Sequence, residues 1–99
     1  MAVASLAEVL GVLRARRADI REKYLVDLIG VVGSFARGEA REDSDVDVWA
    51  ESLRGTTLFK LGGALAELEE ALGRRVDLID RDTVKPLIRP SMERDLVRA

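Results

Sequence analysis

The hydrophobic positions near the N-terminus repeat with the period of an α-helix. Four apolar residues stand at i, i+3, i+4 and i+7, which places them on one helical face. They are Leu6, Val9, Leu10 and Leu13. Ser5 and Glu8 form a capping box, in which each side chain can bond a free backbone N–H at the start of a helix. The pattern predicts a helix that begins here and continues, more weakly, through residues 20–24.

Three later stretches have the pattern of β-strands. Residues 25–32 form an almost continuous apolar run rich in β-branched side chains, which is typical of a strand covered on both faces. Residues 45–50 alternate polar and apolar side chains, which predicts a half-buried strand. Residues 75–80 predict a third strand. Between the first two strands, residues 33–43 are polar and glycine-rich, and they predict a turn or a single helical turn.

A second helical pattern precedes the third strand. Its leucines share one face, Thr56 or Thr57 can cap its start, and it runs to about Leu72. Gly73 is placed to end it in the left-handed conformation. Gly62 and Gly63 each cost such a helix about 1 kcal/mol relative to Ala. We expect close packing against the sheet to account for these two glycines.

The predicted order is therefore α-β-β-α-β, followed by a tail. Pro86 and Pro90 interrupt this tail, and Ser91 is placed to start a short final helix. An order of this kind predicts a small α/β or α+β domain whose helices pack on a sheet. With 99 residues, the chain has the size of a single domain, residues 1–99.

Composition narrows the class of protein. Hydrophobic residues make up 47% and charged residues 34% of the chain, a balance that is typical of globular proteins. No apolar run approaches the ~20 residues that a membrane span needs. The N-terminal stretch places its apolar residues before its arginines, the reverse of a secretory signal. We therefore expect a soluble, cytoplasmic protein without a membrane partner.

The chain has no Cys and no His. Disulfides, thiolate zinc sites and catalysis by Ser–His or Cys–His pairs are therefore excluded. A metal site would have to consist of oxygen ligands, which favour Mg²⁺, Mn²⁺ or Ca²⁺. The net charge of −2 argues against direct nucleic-acid binding, which usually needs a basic excess.

The polar composition is also unusual. Asn and Gln are absent, and Arg outnumbers Lys by 13 to 3. The loss of thermolabile amides is typical of a thermophile. A GC-rich genome would favour arginine and alanine codons equally well, so the two explanations stay open.

Candidate chemistry is concentrated between residues 33 and 48. Asp45 and Asp47 share one face of the predicted strand, where two carboxylates repel each other unless a cation lies between them. A solvated face on an edge strand is the alternative. Gly33 allows a ligand to approach the backbone closely, and Ser34 offers a hydroxyl. If residues 35–38 begin a helical turn, their free N–H groups make a site for an anion. A glycine turn with a serine cap would have the same sequence.

A third carboxylate, Asp77, stands in the middle of the third predicted strand among apolar residues. A carboxylate is seldom found at such a position without a partner. If the third strand lies beside the second, Asp77 joins Asp45 and Asp47, and three carboxylates suit two hard cations. An ion pair with Arg74 or Arg75 is the alternative.

The combination of these motifs resembles one known family. The segments are G-S-F-A-R-G at residues 33–38, S-D-V-D-V at 44–48, and V-D-L-I at 76–79; ten residues separate the serine of the first from Asp45. Together they resemble the minimal nucleotidyltransferases of the DNA polymerase β superfamily, over about residues 5–97. They also look like the members encoded beside a HEPN-domain protein, where the nucleotidyltransferase is the antitoxin. The resemblance implies a small nucleotidyltransferase fold, with helices packed on a three-stranded mixed sheet.

The resemblance also implies roles for single residues. Asp45 and Asp47 would bind two Mg²⁺ ions, for which Mn²⁺ could substitute. Asp77 would hold the catalytic metal and help to deprotonate the acceptor hydroxyl. Gly33 and Ser34 would hold the β- and γ-phosphates of ATP.

Arg37 also matches the family motif, where it would brace the loop or touch phosphate. The implied reaction moves AMP from ATP to a hydroxyl group and releases pyrophosphate. Larger members of the superfamily bind the acceptor with an extra domain, for which 99 residues leave no room. The family therefore suggests a tyrosine of a HEPN toxin as the acceptor. Two alternatives remain: an antitoxin that neutralises its partner by contact alone, and a metal-dependent hydrolase that uses the same carboxylates.

Overall fold

The computed structural model describes residues 2–99, and within them four helices and four strands alternate along the chain. In order, they are α1 (Leu6–Tyr24), β1 (Val26–Val32), α2 (Gly33–Arg37), β2 (Val46–Ser52), α3 (Leu58–Leu72), β3 (Val76–Asp80), α4 (Arg89–Asp95) and β4 (Val97–Arg98). Over this part of the chain, no helix has both the length and the apolar composition that a membrane span requires.

Both long helices begin at their predicted caps. The Ser5 hydroxyl accepts the Glu8 N–H at 3.2 Å, and the Glu8 carboxylate accepts the Ala4 N–H at 3.3 Å. The Thr57 hydroxyl accepts the Lys60 N–H at 3.1 Å at the start of α3. These side chains satisfy N–H groups that the first helical turn leaves without partners. Helix α1 ends at Tyr24 and is followed by Leu25, whose φ of 57° is left-handed, so β1 starts one residue later than predicted.

Gly63 explains the close approach of the two long helices. A Cβ at this position would lie 2.6 Å from the Tyr24 ring of α1, so a glycine is needed for α3 to approach α1. A Cβ at Gly62 would meet nothing within 4 Å. The expected close packing of these glycines against the sheet is therefore wrong; the contact is between helices. Gly73 ends α3 with a φ of 67°, as predicted.

The sheet is mixed, and its strands lie in the order β3-β2-β1-β4. β1 runs antiparallel to β2 and to β4, while β2 and β3 are parallel. The prediction of three strands is wrong, because β4 adds a fourth to the described sheet. β4 pairs only at Gly30 and Val31, and two residues are too few to show an alternating pattern. Helix α4 also starts earlier than predicted, at Arg89 rather than Ser91, with Pro90 in its first turn.

The two faces of the sheet are covered differently. Helices α1 and α3 cover one face and form the main core with alternate residues of β1, β2 and β3. The residues on the opposite face include a smaller buried cluster of Ile29, Val32 and Trp49, against which Met92 and Leu96 of the C-terminal segment pack. The C-terminal segment covers this second face only in part. The polar residues of β2 and β3 lie on the same face.

Candidate active site

Two of the predicted carboxylates are neighbours on the second face of the sheet. β2 and β3 pair in parallel with Asp47 directly opposite Asp77. Val46 and Val48, which flank Asp47, are buried in the main core. Because successive side chains of a strand point to opposite faces, the Asp47 side chain points away from that core. The Asp77 side chain lies beside that of Asp47 and points to the same face. The interpretation that the third strand lies beside the second is confirmed.

Asp45 lies just before the first residue of β2, one position outside the strand that was predicted for it. Its side chain and that of Asp77 are exposed, whereas Asp47 is half-buried. Burial raises the pKa of the Asp47 carboxyl, and the negative charges of Asp77 and Asp45 raise it further, while Arg37 opposes them. The three carboxylates therefore form one electrostatic cluster with an excess of negative charge.

The donor set of this cluster fits a hard divalent cation, because it consists of carboxylate oxygens that repel one another. As the side chains stand in residues 2–99, no three acidic groups close around a point where an ion could sit. Asp45 and Asp77 are exposed, so their side chains have room to turn toward Asp47. The alternative ion pair between Asp77 and Arg74 is not formed, since Arg74 donates to main-chain carbonyls instead.

Gly33 lies directly against Asp47. Its φ is +74°, and a Cβ built on it would collide with the Asp47 carboxylate. Both features demand glycine at this position. The next residue, Ser34, lies in the first turn of α2, so the helix carries the predicted glycine–serine pair to the edge of the carboxylate cluster.

A cleft of about 350 Å³ opens beside these residues. Its lining includes Gly33, Ser34, Arg37 and Asp47 on one side and Ser91 and Asp95 of α4 on the other. The structure therefore brings the predicted phosphate-binding residues and one predicted metal ligand to a single cleft. The α4 residues were not predicted to be part of it, because the sequence pattern of the tail does not show which face of the sheet it covers.

Arg37 lies at the cleft, but its guanidinium is already paired. Its Nη1 donates to Asp95 at 3.0 Å, and its Nε donates to Glu39 at 3.4 Å. The contact with Asp95 joins α2 to α4. A phosphate that entered the cleft would therefore meet a cation whose charge is shared with two carboxylates.

Sequence reasoning missed one further residue near the cluster, Arg74. It was considered only as a partner for Asp77, whereas its side chain binds carbonyls of the loop that leads into Asp45. A single arginine after a helix-ending glycine has no periodic pattern, so the sequence offers no signal for such a role.

Comparison with known proteins agrees with this geometry. The family model described as the nucleotidyltransferase domain matches residues 13–99. The chain belongs to this family. Protein adenylyltransferase MntA of Thermococcus cleftensis is 39% identical over 97 residues, which cover 98% of each chain. A Methanocaldococcus jannaschii protein, provisionally named a protein adenylyltransferase, is 35% identical over 94 residues, which cover 94% of this chain and 96% of its own. The prediction of a nucleotidyltransferase enzyme is confirmed.

Two solved structures share the fold of this nucleotidyltransferase. One, provisionally described as a minimal nucleotidyltransferase, is 36% identical, with a TM-score of 0.72, and the match covers 89% of this chain and 93% of the other. The second is a toxin–antitoxin crystal structure with AMP-PNP, which is 22% identical with a TM-score of 0.61. That match covers 86% of this chain and 64% of the other, and it shows a common fold.

Proposed function

We propose that this nucleotidyltransferase is a protein adenylyltransferase that acts as an antitoxin. It moves AMP from ATP to a hydroxyl group, which we assign to a tyrosine of a HEPN-domain toxin. The observation that carries the proposal is the placement of Asp47 beside Asp77 on the open face of the sheet, with Gly33 against Asp47 and Ser34 in the same cleft. The adenylyltransferase names of relatives that match over almost the whole chain support the same reaction.

In this proposal Asp45, Asp47 and Asp77 hold two Mg²⁺ ions, for which Mn²⁺ can substitute. When bound, the metal neutralises charge on the transferred phosphoryl group and on the leaving pyrophosphate. Burial raises the pKa of Asp47, and the negative charges of Asp77 and Asp45 add to this effect. The proximity of these charges supports the assignment, because a cation would relieve their repulsion. The exposed Asp45 and Asp77 complete the ligand set.

Gly33, Ser34 and Arg37 are proposed to hold the phosphates of ATP. The absence of a side chain at Gly33 lets the Asp47 carboxylate lie directly against the main chain that leads into α2, which brings the proposed metal ligand next to the proposed phosphate-binding residues. The Ser34 hydroxyl, which lines the same cleft, can donate a hydrogen bond to phosphate. The Arg37 guanidinium has five N–H donors, of which Asp95 and Glu39 use two. The others are available to phosphate oxygens, so Arg37 contributes the positive charge of the cleft.

The transfer itself needs a correctly placed acceptor oxygen. A bond forms between this oxygen and the α-phosphorus of ATP, the bond from that phosphorus to the bridging oxygen breaks, and pyrophosphate leaves with the electron pair. Asp77, exposed on the edge strand β3, is suited to orient the acceptor hydroxyl and take its proton. In this proposal the hydroxyl comes from a second protein, which reaches the exposed Asp77 at the edge of the sheet.

The identity of the partner protein is the most specific part of the proposal. One protein that shares this fold was solved as a toxin–antitoxin assembly with AMP-PNP, so the fold occurs in such pairs and alongside an ATP analogue. The resemblance to nucleotidyltransferases encoded beside HEPN proteins supports our choice of a HEPN-domain protein as the toxin. Modification of a toxin tyrosine would then block its activity.

A labelling reaction tests the proposal. The protein is incubated with ATP labelled at the α-phosphate, Mg²⁺ and the candidate HEPN protein. We expect a labelled partner band with the wild type, and no label with Asp45→Asn or Asp47→Asn, because each variant loses a proposed ligand charge. Asp82→Asn is the matched control, since Asp82 is an exposed aspartate in the turn after β3. It should label the partner as the wild type does.

Other outcomes separate the alternatives. Co-elution of the two proteins with inhibition but without label would contradict the enzymatic proposal and favour neutralisation by contact. Release of free AMP without a labelled protein would indicate a hydrolase. Full labelling by both Asp→Asn variants would contradict the assignment of the carboxylates.

A further inference from the structure

The side chain of Arg74 donates four hydrogen bonds to main-chain carbonyls. It follows Gly73, at the end of α3, and precedes β3. Its Nε donates to a carbonyl near the N-terminus, and its Nη1 is shared among three carbonyls of one loop. The acceptors are Val3 at 2.7 Å, Arg41 at 2.9 Å, Glu42 at 2.9 Å and Ser44 at 3.1 Å. One side chain therefore joins two segments that are distant in sequence.

The same guanidinium also contacts α2. Its Cζ lies 5.1 Å from the centre of the Phe35 ring, within the range of a cation–π interaction. Phe35 is 1% exposed and follows Ser34 directly. Arg74 thus touches the loop that ends at Asp45 and also the helix that carries the glycine–serine pair.

The loop has few other contacts that fix it. Arg41, Glu42 and Asp43 are exposed, and within the loop the Ser44 N–H donates to the Arg41 carbonyl at 3.1 Å. The Ser44 hydroxyl accepts the Arg41 N–H at 2.7 Å. These bonds close a local turn, but they do not attach it to the rest of the protein. The attachment to the body of the protein is made by Arg74.

We propose that Arg74 is a positioning residue, which fixes the 41–44 loop and thereby sets the place of Asp45 relative to α2. Its effect on the loop stands independently of the reaction, whereas its effect on catalysis rests on the proposed function. Arginine is required because its planar fork binds two groups of carbonyls and stacks on a ring at the same time. A lysine ammonium is a single point charge and cannot do both.

Hydrogen exchange of the loop is the first test, with Arg74→Lys compared with Arg75→Lys. Arg75 is the exposed next residue, so its replacement removes the same fork from the adjacent position. We expect the Arg41 and Ser44 amides to exchange at least about 10-fold faster in Arg74→Lys, because their turn is no longer held in place. Arg75→Lys should exchange like the wild type. Equal exchange in the two variants would overturn the proposal.

The labelling reaction is the second test, at a temperature where circular dichroism shows every variant folded. We expect kcat for AMP transfer to fall by about 10- to 100-fold in Arg74→Lys, the size of effect typical of residues that orient a ligand side chain. The KM for ATP should change less, since Gly33 and Ser34 remain. A variant that labels like the wild type would overturn the catalytic part. No label from the wild type would instead contradict the proposed function, and the exchange result would still decide the role of Arg74 in the loop.

Discussion

The two faces of the sheet differ in what their side chains do: one face is packed in the main core, and the other carries the acidic cluster. The core between one face of the sheet and helices α1 and α3 contains most of the buried apolar residues, and several of them, such as Leu13 of α1 and Leu68 of α3, are 0% exposed. The opposite face has a buried cluster of Ile29, Val32 and Trp49, beside which Asp47 and Asp77 lie. Most of the stability therefore comes from one face, which leaves the other free to carry charged groups that a core could not accommodate.

Two ion pairs differ in how strongly they hold the structure together. Arg17 binds Asp27 through both carboxylate oxygens, at 2.8 Å and 3.1 Å, and the Asp27 side chain is only 14% exposed. Arg37 binds Asp95 through one oxygen, and their side chains are 44% and 33% exposed. Exposed single contacts contribute little to stability. The first pair ties α1 to β1, whereas the second, at the cleft, can be broken at small cost.

The first prediction compares a cavity on each face. Leu68→Ala, on the α3 side, should lower the free energy of unfolding by about 2–5 kcal/mol, because Leu68 is fully buried and its neighbours cannot fill the space. Met92→Ala, on the opposite face, should lower it by about 1 kcal/mol, because Met92 is only half-buried. Urea denaturation followed by circular dichroism measures both. Equal losses in the two variants would contradict the view that one face supplies most of the stability.

The second prediction concerns the Arg17–Asp27 pair and pH. Hydrogen bonds from Arg17 lower the pKa of the Asp27 carboxyl, against the opposing effect of burial. A lowered pKa in the folded state means that the pair stabilises the fold above the ordinary carboxyl pKa of about 3.9. This stabilisation is lost as the pH falls through the lower, folded-state pKa. At pH 7, Asp27→Asn should cost about 1 kcal/mol, discounted for the partial exposure of Arg17.

Unfolding curves of wild type and Asp27→Asn at several pH values test this sign. The difference in free energy of unfolding should be constant from pH 7 to about pH 5 and shrink below about pH 4. Asp19→Asn is the control, because Asp19 pairs with Lys23 on the exposed side of α1. A difference that grew as the pH fell would contradict the assignment.

The sequence predicts the face under α1 and α3 better than the face that carries the proposed site, for a physical reason. Caps and apolar periodicity are local, so Ser5, Thr57 and Gly73 could be placed before the structure was known. The pairing of Asp47 with Asp77 also followed, because a carboxylate within an apolar strand requires an explanation. In contrast, β4 and the contacts of Arg74 depend on distant segments meeting in space. The hydrophobic and polar pattern along the chain does not show which distant segments come into contact.

The smallest predicted effect concerns the exposed pair at the cleft. Asp95 adds a negative charge to the proposed phosphate site and binds the cation that a triphosphate would need. Asp95→Asn should therefore tighten the binding of AMP-PNP with Mg²⁺ by about threefold, within the range of exposed charge pairs.

Isothermal titration calorimetry measures this change, with Glu93→Gln as the control. Glu93 lies on the same helix but pairs with Arg89, so its loss should leave AMP-PNP affinity unchanged. The gain from Asp95→Asn should disappear when Arg37 is replaced by Gln, because Asp95 acts through that guanidinium. Weaker binding in Asp95→Asn would mean that the carboxylate holds Arg37 in place for the nucleotide. The Arg37–Asp95 pair would then be structural, like the Arg17–Asp27 pair, and the contrast between the two pairs would be wrong.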